Sequence, residues 1–125
     1  MRVIVMTGAT AFLALSAAHD SVQAACITEP IDRSERAEAL RSRTIADFVR
    51  RDIIYKIVKM SETAIEVQVT ARFLELPFDM KQVLAWSVFS ANFDGADEKQ
   101  TIMFTDNRTL KDVGRFDACR GLSLS

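Results

Sequence analysis

Asn92, Asp94, Asp97 and Glu98 crowd oxygen-bearing side chains around Gly95, and a loop rich in such oxygens is what calcium takes. An EF-hand loop needs a glutamate at its twelfth position, but the twelfth residue counted from Asn92 is Met103. The stretch therefore reads as a polar loop that ends a helix. Asp106, Asp112 and Asp117 invite a second chemistry, since paired carboxylates serve as general acid and base when their surroundings separate their pKa values. Asp106 is better explained by a turn, and Asp112 and Asp117 stand beside Lys111 and Arg115 as surface charge. Ser87 and Lys81 lie six apart, on no common helix face, and make no nucleophile and base pair.

The chain has a single histidine, His19, and no nucleophile, base and orienter set can be assembled around it. Trp86 and Tyr55 are the only large amphipathic aromatics. Such residues anchor interfaces, yet a Trp in the middle of an apolar helix reads first as core. Lys81, Arg115 and Arg120 near Phe104 or Phe116 lack the aromatic and glycine pattern of an RNA-binding strand pair. Nucleic acid is not an expected partner, and no cofactor or metal is called for. With no catalytic residue assigned, the candidate interaction surface is the loop carboxylates Asp94, Asp97 and Glu98 together with Arg108.

The two cysteines, Cys26 and Cys119, bear on compartment. Residues 3–18 run without a charge behind Met1 and Arg2, the layout of a secretory signal peptide and short of the roughly 20 apolar residues that cross a bilayer. Val22-Gln23-Ala24 fits a signal peptidase, so cleavage is expected after Ala24 and His19 leaves with the leader. Gln23 stands where a lipoprotein signal wants a leucine-like residue, which argues against lipidation of Cys26. Two cysteines behind a leader favour a disulfide. Closing about 90 residues, it is worth on the order of 4 kcal/mol in the chain-entropy model. Two buried free thiols are the alternative.

Residues 25–125 form one domain of about 101 residues, enough to bury roughly two thirds of the unfolded surface. The net charge is -1 and stays so when Arg2 and Asp20 are removed, giving no field that favours nucleic acid or an anionic membrane. Arg33, Arg36, Arg41, Arg43, Arg50 and Arg51 interleave with Asp32, Glu35, Glu38, Asp47 and Asp52, a mixed and solvated face.

These groups must be positioned by a small number of elements. Asp32 followed by Glu35 has the form of a capping box, and Ala37, Leu40, Thr44, Ile45, Phe48 and Val49 recur at helical spacing, so residues 33–50 are read as an amphipathic helix. Residues 52–60 are β-branched and aromatic and suit a strand, although the helix could run on to Met60. Residues 64–70 alternate cleanly, the clearest strand in the chain. Pro77 suits the opening of a helix over residues 78–91, apolar enough to be the main cover of the sheet. Strands at 101–105 and 110–116 flank a turn at 106–109, with a bulge at Gly114 and a strand end at Gly121.

The fold class expected is α+β: a small antiparallel sheet of three or four strands, covered on one face by two helices, in the order α-β-β-α-β-β. The function expected is that of a small exported bacterial-type binding or accessory protein, periplasmic or extracellular, without catalysis. It is monomeric or weakly associating, and it receives another protein or an envelope component on a sheet face or exposed edge. Two rivals stand beside it. One is a hydrolase-like enzyme or small-ligand binder using Asp and Arg residues in a cleft between helix 78–91 and the sheet; a dry cleft lined by Trp86, Phe89 and Met103 would mean core, and a wet pocket where Asp and Arg side chains converge would mean catalysis. The other is a secreted inhibitor or effector presenting the loop "NFDGADEKQ".

Overall fold

The computed structural model describes residues 26–27 and 30–125. The expected leader, residues 1–24 with its cleavage point and His19, lies outside the described residues. Helix α1 spans Glu35–Arg50, capped by Ser34, whose hydroxyl accepts from the Ala37 amide at 3.2 Å. The cap is thus two residues later than the expected Asp32, whose carboxylate accepts from the Ser34 amide at 2.9 Å instead. The reason is downstream: Arg33 is committed to another helix, which holds the chain extended until Ser34.

The open question at residues 52–60 is settled by the end of α1. Ile53 donates to the Phe48 carbonyl and Asp52 to that of Val49, each at 3.0 Å, with Asp52 at φ 62°. This is a Schellman ending, and the two residues whose backbone groups it joins, Phe48 and Ile53, are both buried in the core. The chain leaves it as strand β1, Ile54–Ser61, and returns as β2, Ala64–Val69.

Thr70 then caps a short helix α2, Ala71–Glu75, which five residues of sequence do not announce. Its hydroxyl also donates to the Asp52 carbonyl at 2.6 Å, tying α2 to the ending of α1. Helix α3 spans Phe78–Asn92, with Pro77 as its N-cap. Strands β3 (Thr101–Asp106), β4 (Asp112–Asp117) and β5 (Gly121–Leu124) follow.

The five strands form one sheet in the order β1-β2-β3-β4-β5, so the expectation of three or four strands falls short by β5. The sheet is also mixed: β2 and β3 run parallel in continuous register, Ala64 opposite Thr101 through Val69 opposite Asp106. The cause is the connection, because α2 and α3 carry the chain from the finish of β2 back to the start of β3, and such a return yields a parallel pair. Across the covered face run the rows Ile65, Ile102, Phe116, Leu122 and Val67, Phe104, Gly114. Gly114 pairs with Phe104 while Asp112 pairs with Thr105, which makes Val113 the inserted residue and puts the bulge one position before the glycine.

Helix α3 lies on β3, β4 and β5 and is flanked by α1, which also touches β1. Being covered on two sides explains why α3 is apolar nearly all round. Lys81 is buried with it, its ammonium donating to the Leu74 carbonyl at 3.2 Å over the Phe73 ring.

Leu110 closes the β3–β4 turn at φ 60° with 59 % of its surface exposed. A leucine loses about 1 kcal/mol in this left-handed region and here gains no burial in return. Leu110→Gly is therefore expected to raise stability by about 1 kcal/mol in urea denaturation; an unchanged midpoint would show that the turn relaxes without strain.

Candidate functional site

Cys26 and Cys119 form a disulfide, with Cα atoms 4.8 Å apart across a separation of 93 residues. Cys119 sits in the β4–β5 turn, and Asp117 builds that turn: its carboxylate accepts from the Cys119 amide at 2.9 Å and the Arg120 amide at 2.8 Å. Asp117 is only 5 % exposed, so the reading of it as surface charge is corrected. Asp106 does the same for its own turn, accepting from Arg108 and Thr109, and Asp112 accepts from the Gly114 amide at the bulge. All three aspartates of this region are used by local backbone.

From the disulfide the N-terminal strap, residues 30–34, runs to α1 and is held by two arginines. Arg33 donates to the carbonyls of Ser90 and Phe93 at the C-terminal end of α3, where a cation meets the negative end of the helix dipole. Arg41 donates to the Asp32 carbonyl, to Glu38 and, at 3.0 Å, to the hydroxyl of fully buried Ser90. Its side chain is 13 % exposed, so it does not belong to the solvated arginine face the sequence suggested.

The strap, α1 and α3 enclose a groove. A depression of about 460 Å³ between Cys26, Ile31, Asp32, Ala118, Arg41 and Trp86 continues past the last two into one of about 300 Å³ beside Leu40 and Val83. It continues again, past Thr44 and Val83, into a third of about 380 Å³ that ends among Arg43, Asp47, Arg50 and Arg51. Trp86 lines the first two of these depressions. Its ring stacks on Phe89 at 5.7 Å and meets Phe116 edge-on at 6.0 Å, which leaves its other side to the groove and 41 % of the residue exposed. Leu40 and Val83 are 56 % and 46 % exposed. Trp86 is thus half core and half surface, and the spacing of apolar residues in α3 gave no means of separating the two.

Asp32 and Arg41 meet at the groove mouth, and Asp47 lies among Arg43, Arg50 and Arg51 at the far end, the two places in the groove where an aspartate stands beside arginines in a concave surface. The three donor nitrogens of Arg41 are already engaged within the protein. The Asp32 carboxyl is held below its ordinary value of 3.8, first by the Ser34 amide and then by the Ser34 hydroxyl, with Arg41 adding a small attraction. A folded-state pKa lowered in this way contributes stability above the ordinary value that is lost as pH falls through the folded value. NMR titration of the Asp32 carboxyl should accordingly give a midpoint below that of a free aspartate, and a midpoint at or above 3.8 would disconnect it from the strap. Of the three residues whose dry packing would mark core, Phe89 is fully buried against the sheet and Trp86 is half exposed, while Met103 pairs with Glu66 and Arg115 in the row facing away from α3.

The loop carboxylates are turned to their own backbone. Asp94 accepts from Ala96 and from the Gln100 amide group, and Asp97 from Lys99, while Glu98 is exposed. Hydrogen bonding, above all from Ala96, keeps the Asp94 carboxyl below its ordinary value. Gly95, at φ 78°, lies so close to Ile27 that a Cβ there would overlap its side chain, and the loop is thereby closed against the strap. Arg108 stands at the opposite end of β3, six residues of strand away from Thr101, so Asp94, Asp97, Glu98 and Arg108 do not come together on one surface. No helix among the described residues is long and apolar enough to cross a membrane. Comparison with known proteins finds no matching protein family, no matching curated protein and no matching solved structure.

Proposed function

We propose that this chain is a small exported binding or accessory domain, monomeric or weakly associating, that receives its partner in the groove between α1 and α3. The observation that carries the reading is Trp86, 41 % exposed and shared by two adjoining depressions, with Leu40 and Val83 beside it. A half-exposed tryptophan in a concave apolar seam is the kind of residue on which binding energy concentrates. Export is supported by the uncharged run at residues 3–18 and by the Cys26–Cys119 disulfide, a bond that persists in oxidising compartments.

Two arguments weigh against the rival readings. At the groove mouth each nitrogen of Arg41 is already tied to the protein, at Ser90, Glu38 and the Asp32 carbonyl, so the guanidinium is fixed in place and keeps only one hydrogen on each Nη for a substrate. The loop at 92–100 folds on its own amides and against Ile27, a poor shape for an inhibitory loop that must enter a target's cleft.

The test has two arms. Intact mass of protein from fractionated cells, before and after reduction and alkylation, is expected to give a periplasmic or extracellular species beginning at Ala25 that gains two alkyl groups only when reduced. In the same cells a photo-crosslinking residue at Val83 is expected to capture one discrete partner, and Trp86→Ala is expected to abolish the capture. A full-length cytoplasmic species would overturn export. Capture that survives Trp86→Ala would move the binding site elsewhere.

A further inference from the structure

We infer that the partner element is an acidic amphipathic helix; the inference rests on the groove being the binding site. Three observations lead to it. Beyond the strap the groove walls are α1 and α3, whose backbone groups are already paired, so a peptide lying between the two helices finds side chains and no free amide or carbonyl. An extended segment would leave its own backbone unpaired in an apolar seam, whereas a helix brings its hydrogen bonds with it.

The second observation is charge. Arg36 and Arg43 flank Leu40 on one stripe of α1, at spacings of four and three, and neither forms an ion pair or a side-chain hydrogen bond among the described residues. The other arginines of α1 and its flanks are engaged: Arg33 and Arg41 with Glu38 and the end of α3, Arg50 and Arg51 both with Asp47. Two free guanidiniums about 10 Å apart along the helix axis match carboxylates two turns apart on a facing helix. The apolar positions between them, Leu40, Val83 and Trp86, call for leucine-like residues at i, i+3 or i+4, and i+7 on that helix.

The third observation concerns a second copy of this chain: among the described residues its α1 is arginine-rich and its α3 is buried against the sheet and α1, so it offers no acidic amphipathic helix of its own.

Trp86 is the only tryptophan and reports directly on the groove. The probe is a synthetic 16-residue helical peptide with a leucine stripe flanked by glutamates, titrated into the oxidised mature chain while Trp86 emission is followed. Controls are the same peptide with lysines in place of the glutamates and a proline-interrupted version. The glutamate peptide is expected to bind and shift the emission to the blue. Arg36→Gln and Arg43→Gln are each expected to weaken binding about three- to fivefold, with a similar response to added salt. Circular dichroism of each variant checks the fold. Equal binding of the lysine or proline peptide, or affinity unaltered in the double variant, overturns the inference. If the glutamate peptide fails while Trp86-dependent capture in cells persists, the acidic helix is wrong and the groove stands; if both fail, both are wrong.

Discussion

Removing the Cys26–Cys119 bond, by the paired substitutions Cys26→Ser and Cys119→Ser, is expected to lower stability by about 4–5 kcal/mol, because the separation of 93 residues sets a large loop-closure entropy in the unfolded chain. A domain of this size has roughly 5–15 kcal/mol in total, so the variant should be folded at 25 °C with little margin or not at all. Urea denaturation of the oxidised protein and the variant measures the difference. The strap has independent anchors in Arg33, Arg41 and the contact of Ile27 with Gly95, so the folded fraction of the variant should keep its groove. Trp86 emission in that fraction should match the oxidised protein. A loss under about 2 kcal/mol would mean that the strap and the β4–β5 turn stay together in the unfolded chain without the bond.

Phe104→Ala is expected to cost about 4–5 kcal/mol, near the upper end for a buried phenylalanine. Phe104 is fully buried and stacks on Phe73 with ring centroids 5.2 Å apart. Its partner on β4 is Gly114, which has no side chain to move into the vacated space, so the cavity stays open. Gly114 itself has no room to grow, since a Cβ there would meet the Ser123 carbonyl at 3.0 Å and Leu124 at 3.2 Å. A cycle with Phe73→Ala isolates the ring pair, expected to couple by about 1 kcal/mol. A loss of 2 kcal/mol or less for Phe104→Ala would show that α2 collapses onto the sheet.

The elements with strong periodicity were legible in the sequence, and those set by tertiary contacts were not. Ile65, Val67 and Val69 alternate with polar residues because one face of β2 is covered and the other is half open. Helix α1 ends at Arg50, where the reading of residues 33–50 put it, but its left-handed position is held by Asp52 where glycine is usual, so no stop signal closed off the alternative of a helix running on to Met60. Strand β5 has four residues, too few for a period. The parallel pairing of β2 with β3 depends on where α3 delivers the chain, which no local pattern encodes.

The groove was hidden for a related reason. Arg33 and Arg41 look like the four other arginines around them until the end of α3 is placed against them, and Trp86 looks like Leu84 and Phe89 until α1 is placed beside α3. The stripe of Arg36, Leu40 and Arg43, with an aliphatic residue exposed between two cations, read in sequence only as part of a mixed and solvated face.

The parallel β2–β3 pair also governs how the fold assembles. On one side of it stands the β1–β2 hairpin and on the other the β3–β4–β5 meander, each joined by turns of a few residues. Local pairings of this kind form quickly. Within the sheet, only the central seam requires residues from before and after the whole α2–α3 connection to meet, so it carries the loop-closure entropy between the two halves. The rate-limiting event is expected to be the docking of hairpin on meander, with α3 laid down as the lid that joins them. Substitutions in the seam, at Val67 or Ile102, should slow folding, while those in the outer turns, Leu110 included, should act mainly on unfolding.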